Sequence, residues 1–181
     1  IPPEEKIDRQ LVYYQLEQIA AQTRELSVGR DLILWPETAI PADFLAHPQM
    51  KQQVDDAARS LNSWMLVGGA LRGDGNYYNS AVLMDPQGAV AGIYRKRILV
   101  PFSEYLPAGR FWTWLEQRLQ IHHFEFHAGD APVIMKFSPA GDNSLTTAFG
   151  VLICNEDTVG KLFHQYIGSG ASFIVVMLND G

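Results

Sequence analysis

Three polar residues in this sequence each stand where an apolar run stops. Glu37 follows Leu32–Trp35 across Pro36, Lys96 follows Val90–Tyr94 across Arg95, and Cys154 follows Val151–Ile153 directly. Together they carry the parts of a covalent acyl transfer. A thiol attacks a carbonyl only as thiolate, so it needs a base, and a carboxylate whose proton affinity is raised by burial serves. The tetrahedral intermediate then needs a fixed cation and a backbone N–H facing its oxyanion. The three residues are 59 and 58 positions apart, which places each on a different strand. Sites in α/β sheets gather where strands end and loops begin. Residue type alone leaves plainer readings open: Cys154 as a small inert side chain, Glu37 as the cap of a turn, Lys96 as an ordinary exposed cation.

The elements that must position these residues are legible as periodicity. Val12, Leu16, Ile19, Ala20 and Thr23 follow a helical rhythm within Asp8–Leu26, and Gly29 closes that helix. Asp31–Trp35 is a short apolar run stopped by Pro36 and predicts a buried strand. A second helix is predicted from Pro48 to Asn62, with Val54, Ala57, Ala58 and Leu61 on one face. Trp64–Leu71, Tyr77–Met84 and Ala89–Tyr94 are strand-like, joined by the turns Arg72–Asn76 and Asp85–Gly88. After the Pro-punctuated loop Val100–Pro107 come a short aromatic helix (Phe111–Leu119), strands at Val133–Phe137 and Leu145–Ile153, a helix at Thr158–Ile167 and a closing strand at Ser172–Leu178. Hairpins mixed with helical crossovers predict a layered α/β fold in a single domain spanning 1–181.

Composition narrows the class. With 181 residues, 47% hydrophobic and 19% charged, the chain can bury one sizeable core. Its 14 basic and 20 acidic residues give a net charge of −6, which argues against a nucleic-acid partner. One cysteine excludes an internal disulfide, and no apolar run reaches the roughly 18 residues of a membrane span. The sequence lacks an initiator Met and stops directly after an apolar run, which suggests a segment of a longer protein, truncated at its C-terminus. His122, His123, Glu125 and His127 lack the spaced partners of a metal site, so no metal and no cofactor are expected. Phe111, Trp112 and Trp114 fit either a lipid contact or a cover for the domain's own core. Gly68-Gly69 lacks the context of a nucleotide loop.

The words around the three residues are more specific than the residues. Leu34-Trp35-Pro36-Glu37-Thr38-Ala39, then Tyr94-Arg95-Lys96 running on to Leu99-Val100-Pro101-Phe102-Ser103-Glu104-Tyr105-Leu106-Pro107, then Gly150-Val151-Leu152-Ile153-Cys154-Asn155-Glu156 occur in order. They resemble the three signature segments of the nitrilase, or carbon–nitrogen hydrolase, superfamily. The middle segment, with Leu178-Asn179-Asp180, is most similar to the apolipoprotein N-acyltransferase family. The resemblance implies an α-β-β-α sandwich, with Glu37 as general base, Lys96 as oxyanion stabiliser and Cys154 as acyl-carrying nucleophile. It also implies supporting roles. Glu104 would orient Lys96 or help move the proton, the N–H of Asn155 would complete the oxyanion hole, and Glu156 would be the acidic residue two positions after the nucleophile. Glu156 equally fits a carboxylate favoured by a helix N-terminus.

The family's reaction moves a fatty acyl chain from a phospholipid to the Cys and then to the N-terminal amine of a lipoprotein. Its setting is the bacterial inner membrane, with the catalytic domain facing the periplasm and the membrane helices in segments this chain lacks. Three departures bear on that inference: Asn155 stands where Tyr is usual, Ser103 stands where Gly is usual, and the chain stops before the Trp/Phe-rich continuation expected after Asn179-Asp180. Two alternatives stand beside that reading: a soluble amidase of the same superfamily, and a catalytically silent nitrilase-like domain, which Asn155 and the truncation keep open.

Overall fold

The computed structural model describes residues 9–26, 28–105, 125–139 and 145–179. The aromatic helix expected at Phe111–Leu119, with Trp112 and Trp114, and the pair His122-His123 lie outside the described residues. Helix α1 (Arg9–Leu26) leads into strand β1 (Leu32–Leu34), helix α2 (Pro48–Leu61) and the strands β2 (Trp64–Gly73), β3 (Asn76–Met84) and β4 (Val90–Arg95). Strands β5 (Met135–Phe137) and β6 (Thr147–Ile153) follow, then a 3₁₀ turn at Cys154–Thr158, helix α3 (Gly160–Gly168) and strand β7 (Phe173–Met177).

The strands form two sheets, ordered β1-β2-β3-β4 and β5-β6-β7. The α2 crossover makes β1 and β2 parallel, and the α3 crossover does the same for β6 and β7. The other neighbours are antiparallel. Between β2 and β3 the chain reverses in two residues, Asp74 and Gly75, at φ +52° and +82°. Positive φ at both centres is what a tight hairpin demands, so the turn is shorter than the Arg72–Asn76 stretch expected from composition.

Strand alternation sorts the apolar residues into layers. Met65 and Val67 of β2, with Val82 and Met84 of β3, pack beneath Val12, Leu16 and Ala20 of α1 and Met50, Val54, Ala57 and Ala58 of α2. Their strand neighbours Leu66, Ala81 and Leu83 turn to the other side. There they join Tyr94, Met135, Phe149, Val151, Ile153, Val175 and Met177, with Leu162 and Tyr166 of α3. Across this second core β3 meets β6 and β4 meets β5. The result is the expected order of layers, helix, sheet, sheet, helix.

Three elements start two residues later than the sequence reading: the strand expected from Leu145 begins at Thr147, the helix expected from Thr158 begins at Gly160, and the strand expected from Val133 begins at Met135. The second shift has a local cause. The chain leaves β6 through Cys154 at φ +52°, winds one 3₁₀ turn, and breaks at Val159 (φ −102°, ψ 88°) before the α-helix starts.

Candidate active site

Glu37 is presented by a short excursion of the chain over β2. Trp35 N–H donates to Leu66 O (2.8 Å) and Ile40 N–H to Gly68 O (3.1 Å), so residues 36 to 39 bow outwards between two strand-like contacts. The bow lies directly on Gly68. A Cβ there would sit 2.1 Å from Pro36 O and 2.8 Å from Thr38 N, so only glycine lets the two segments approach. Gly68 thus serves the Glu37 turn, and Gly69 lies against the Phe44 ring.

Lys96 continues the face of Tyr94 one residue beyond β4. Its N–H donates to Asn79 O and its carbonyl accepts from Gly129 N–H, both at 2.8 Å. The side chain is 1% exposed, so its charge must be matched. Nζ lies 2.9 Å from Glu104 Oε2 and 3.4 Å from Glu37 Oε1. Glu104 is held by the loop it belongs to. Val100 N–H donates to Oε2 at 2.9 Å, and Phe126 N–H donates to the Glu104 carbonyl at 2.8 Å. Between the two carboxylates stands Asn79, whose Nδ2 donates to Glu37 Oε1 (2.7 Å) and to Glu104 Oε1 (2.9 Å).

Cys154 comes from the other sheet. It is half-buried at the end of β6, in a left-handed backbone conformation that costs a non-glycine residue roughly 1–2 kcal/mol. Such a conformation turns the side chain out of the strand direction at the end of β6. No hydrogen bond among the described residues joins Cys154 Sγ to Glu37 or Lys96. The connection runs through Glu156, which is fully buried. Its Oε1 accepts from Arg97 N–H (2.7 Å) and Ile98 N–H (3.1 Å), and its Oε2 from Ile153 N–H (2.8 Å). Tyr94 OH lies within 2.9 Å of both oxygens. One carboxylate therefore caps the turn that holds Cys154 and fastens it to the chain just beyond Lys96. The expectation of a helix-terminal carboxylate captures only the first of these contacts.

Burial, reinforced by the Glu156 charge, pushes the Tyr94 phenol well above its ordinary range and fixes it as a donor. Burial also pushes Tyr166 up to about 12; its hydroxyl donates to Val151 O at 2.8 Å. A second link joins the sheets at the same end of the sandwich. Asn179, two residues past the Met177 that pairs with Ile153, donates from Nδ2 to Glu37 O at 3.1 Å. Asn155 contributes a buried Oδ1 without a hydrogen-bond partner. An open cavity of about 460 Å³ is bordered by Arg97, Ile98, Leu99, Tyr105, Phe126 and His127. Among the described residues no cluster of His, Cys, Asp or Glu is arranged to hold a metal, and no helix is long and apolar enough to cross a membrane.

The chain and its fold have known counterparts. The family model described as carbon-nitrogen hydrolase matches residues 4–181. The chain belongs to that family. Among curated members, an apolipoprotein N-acyltransferase of Geobacter metallireducens is 33% identical over 158 residues, covering 83% of this chain and 28% of its own. One of Chlorobaculum tepidum is 29% identical over 206 residues, covering 100% of this chain and 38% of its own. The chain thus spans well under half the length of these relatives. Among solved structures, a mutant amidase of Nesterenkonia sp. AN1 in complex with butyramide aligns with a TM-score of 0.64 at 17% identity, over 92% of this chain and 59% of that one. A glutamine-dependent NAD+ synthetase of Acinetobacter baumannii aligns with a TM-score of 0.57 at 24% identity, over 93% of this chain and 30% of that one. Both share the fold of this chain, and the Nesterenkonia amidase is of the nitrilase superfamily.

Of the residues singled out from sequence, Glu37, Lys96 and Glu104 meet directly, Glu156 ties them to the Cys154 turn, and Asn155 sits beside the cysteine. Two residues escaped the sequence reading. Asn79 shares the strand face of Ala81 and Leu83, so an amide on a core-facing position was the available signal. Tyr94 reads as an ordinary core aromatic, and nothing in its spacing announces the Glu156 contact.

Proposed function

We propose that this domain carries the covalent step of an acyltransferase, with Cys154 as nucleophile, Glu37 as base and Lys96 as oxyanion stabiliser. The observation that carries the reading is the buried Glu37–Lys96–Glu104 cluster at the same end of the sandwich as a strained cysteine. Glu37 takes the thiol proton as sulfur attacks an ester carbonyl. The carbonyl oxygen, negative in the intermediate, is met by Lys96 Nζ and the Asn155 N–H. As the thioester forms, the C–O bond breaks and the alcohol leaves with the proton from Glu37. An amine then attacks the thioester, an amide forms, and the thiol is regenerated.

The acyl donor is proposed to be a phospholipid and the acceptor the N-terminal amine of a lipoprotein, at the periplasmic face of a bacterial inner membrane. The support is the middle signature around Glu104 together with the curated relatives that bear the acyltransferase name. Water as final acceptor would make the same site an amidase. The deciding experiment loads the protein from an acyl donor and adds a peptide bearing an N-terminal diacylglyceryl-cysteine. Amide formed faster than free fatty acid supports the transferase. Fatty acid alone, at a rate indifferent to the peptide, overturns it.

A further inference from the structure

Asn79 is 2% exposed, sits inside the charged cluster, and has no task in the chemistry above. Its orientation is dictated by its neighbours, since both are carboxylates and can only accept. An amide NH₂ has two hydrogens, and here each goes to a different glutamate, at 2.7 Å and 2.9 Å. The other end, Oδ1, is left buried without a hydrogen bond. The fold bears that cost, which an apolar residue of the same shape would avoid.

The two carboxylates are left in different states. Glu104 is engaged at both oxygens, Oε1 by Asn79 and Oε2 by Lys96 Nζ and Val100 N–H, each 2.9 Å away. Glu37 is engaged only at Oε1, by Asn79 and, at 3.4 Å, by Lys96. Glu37 Oε2 carries no hydrogen bond or ion pair among the described residues. Without the amide, the nearby ammonium would draw Glu37 round into a closer pair and occupy that second oxygen. Resting on the assignment of Glu37 as base and Cys154 as nucleophile, we propose that Asn79 is a positioning residue. It pins Oε1 of both glutamates, so that Glu37 Oε2 is the atom that receives the thiol proton and Glu104 stays the fixed counter-ion of Lys96.

The test is the pH profile of Cys154 alkylation by iodoacetamide, unambiguous because the chain has one cysteine. It compares wild type with Glu37→Gln, Asn79→Leu and Asn79→Ser. At neutral pH Asn79→Leu is expected to react about tenfold more slowly or worse, because it loses two charge-assisted contacts. The rise of its profile should move towards that of Glu37→Gln, with Asn79→Ser, which keeps one donor, between the two. An Asn79→Leu profile that superimposes on wild type while Glu37→Gln departs from it overturns the positioning role alone. A Glu37→Gln profile that also matches wild type overturns the base assignment and this proposal with it. If the Asn79 variants do not fold, the side-chain amide protons of Asn79 in wild type decide by NMR. They should shift in the pH step that opens Cys154 to alkylation, and amide protons indifferent to that step overturn the proposal.

Discussion

Glu37, Lys96 and Glu104 rise from the first sheet and its loops, and Cys154 from the second; the two groups are held by different means. The charged group is over-determined. Asn79, Val100 N–H and the Lys96 ammonium converge on two carboxylates, and Gly68 fixes the backbone beneath Glu37. The cysteine is held by a strained backbone and by one buried carboxylate that reaches across from its own turn to the chain after Lys96. Under the proposed roles, a thiol needs freedom to approach a substrate whereas a base and a cation must be in place beforehand, and the division of constraints fits that difference.

The comparison is broken most severely at Glu156. Glu156→Ala leaves Arg97, Ile98 and Ile153 N–H and the Tyr94 hydroxyl without their acceptor, and is expected to cost about 3–5 kcal/mol of folding stability. Urea unfolding would measure it. A loss under about 1 kcal/mol would mean that the cross-sheet tie is not the fastening described here.

Gly68→Ala acts on the other half. Its Cβ would meet Pro36 O at 2.1 Å, so the Glu37 bow must lift off β2, at an expected cost of about 1–3 kcal/mol. The loss of thiol reactivity should exceed what the melt implies, because the displaced group is the proposed base. Reactivity that survives unaltered at an unaltered melting temperature would contradict the close approach.

The smallest effect sharpens the link between the halves through pH. Tyr94 and Tyr166 stay protonated in the folded protein above the ordinary tyrosine value of about 10, while the unfolded chain ionises there. Above that pH the unfolded state holds fewer protons, so stability falls as pH rises, by up to about 1.4 kcal/mol per unit for each residue. Tyr94→Phe should flatten the decline between pH 10 and 11 in urea melts. An equally steep decline would show that Tyr94 is not the buried donor to Glu156.

The residues proposed for the chemistry were legible in sequence because they sit in ordered words at strand ends. Glu37 after Trp35-Pro36, Lys96 after Tyr94-Arg95 and Cys154 after Ile153 announce position through the abrupt end of an apolar run. The strands were legible too as apolar runs, but Met65/Leu66/Val67 and Ala81/Val82/Leu83 are apolar on both faces, so which residue enters which core shows only in the structure. What local reading misses is contact across long separations. Asn79 lies 42 residues from Glu37, and Tyr94 lies 62 from Glu156. Neither pairing leaves a periodic trace, and the 3₁₀ turn after Cys154 hides behind residues that would equally begin a helix.

The central claim is that Cys154 carries the acyl group, and intact-mass spectrometry after incubation with a phospholipid acyl donor tests it most directly. One added acyl chain, mapped to Cys154, released by hydroxylamine at neutral pH and absent from Cys154→Ala, is the expected result. An adduct that persists in Cys154→Ala, or one that forms on any other residue, would contradict it.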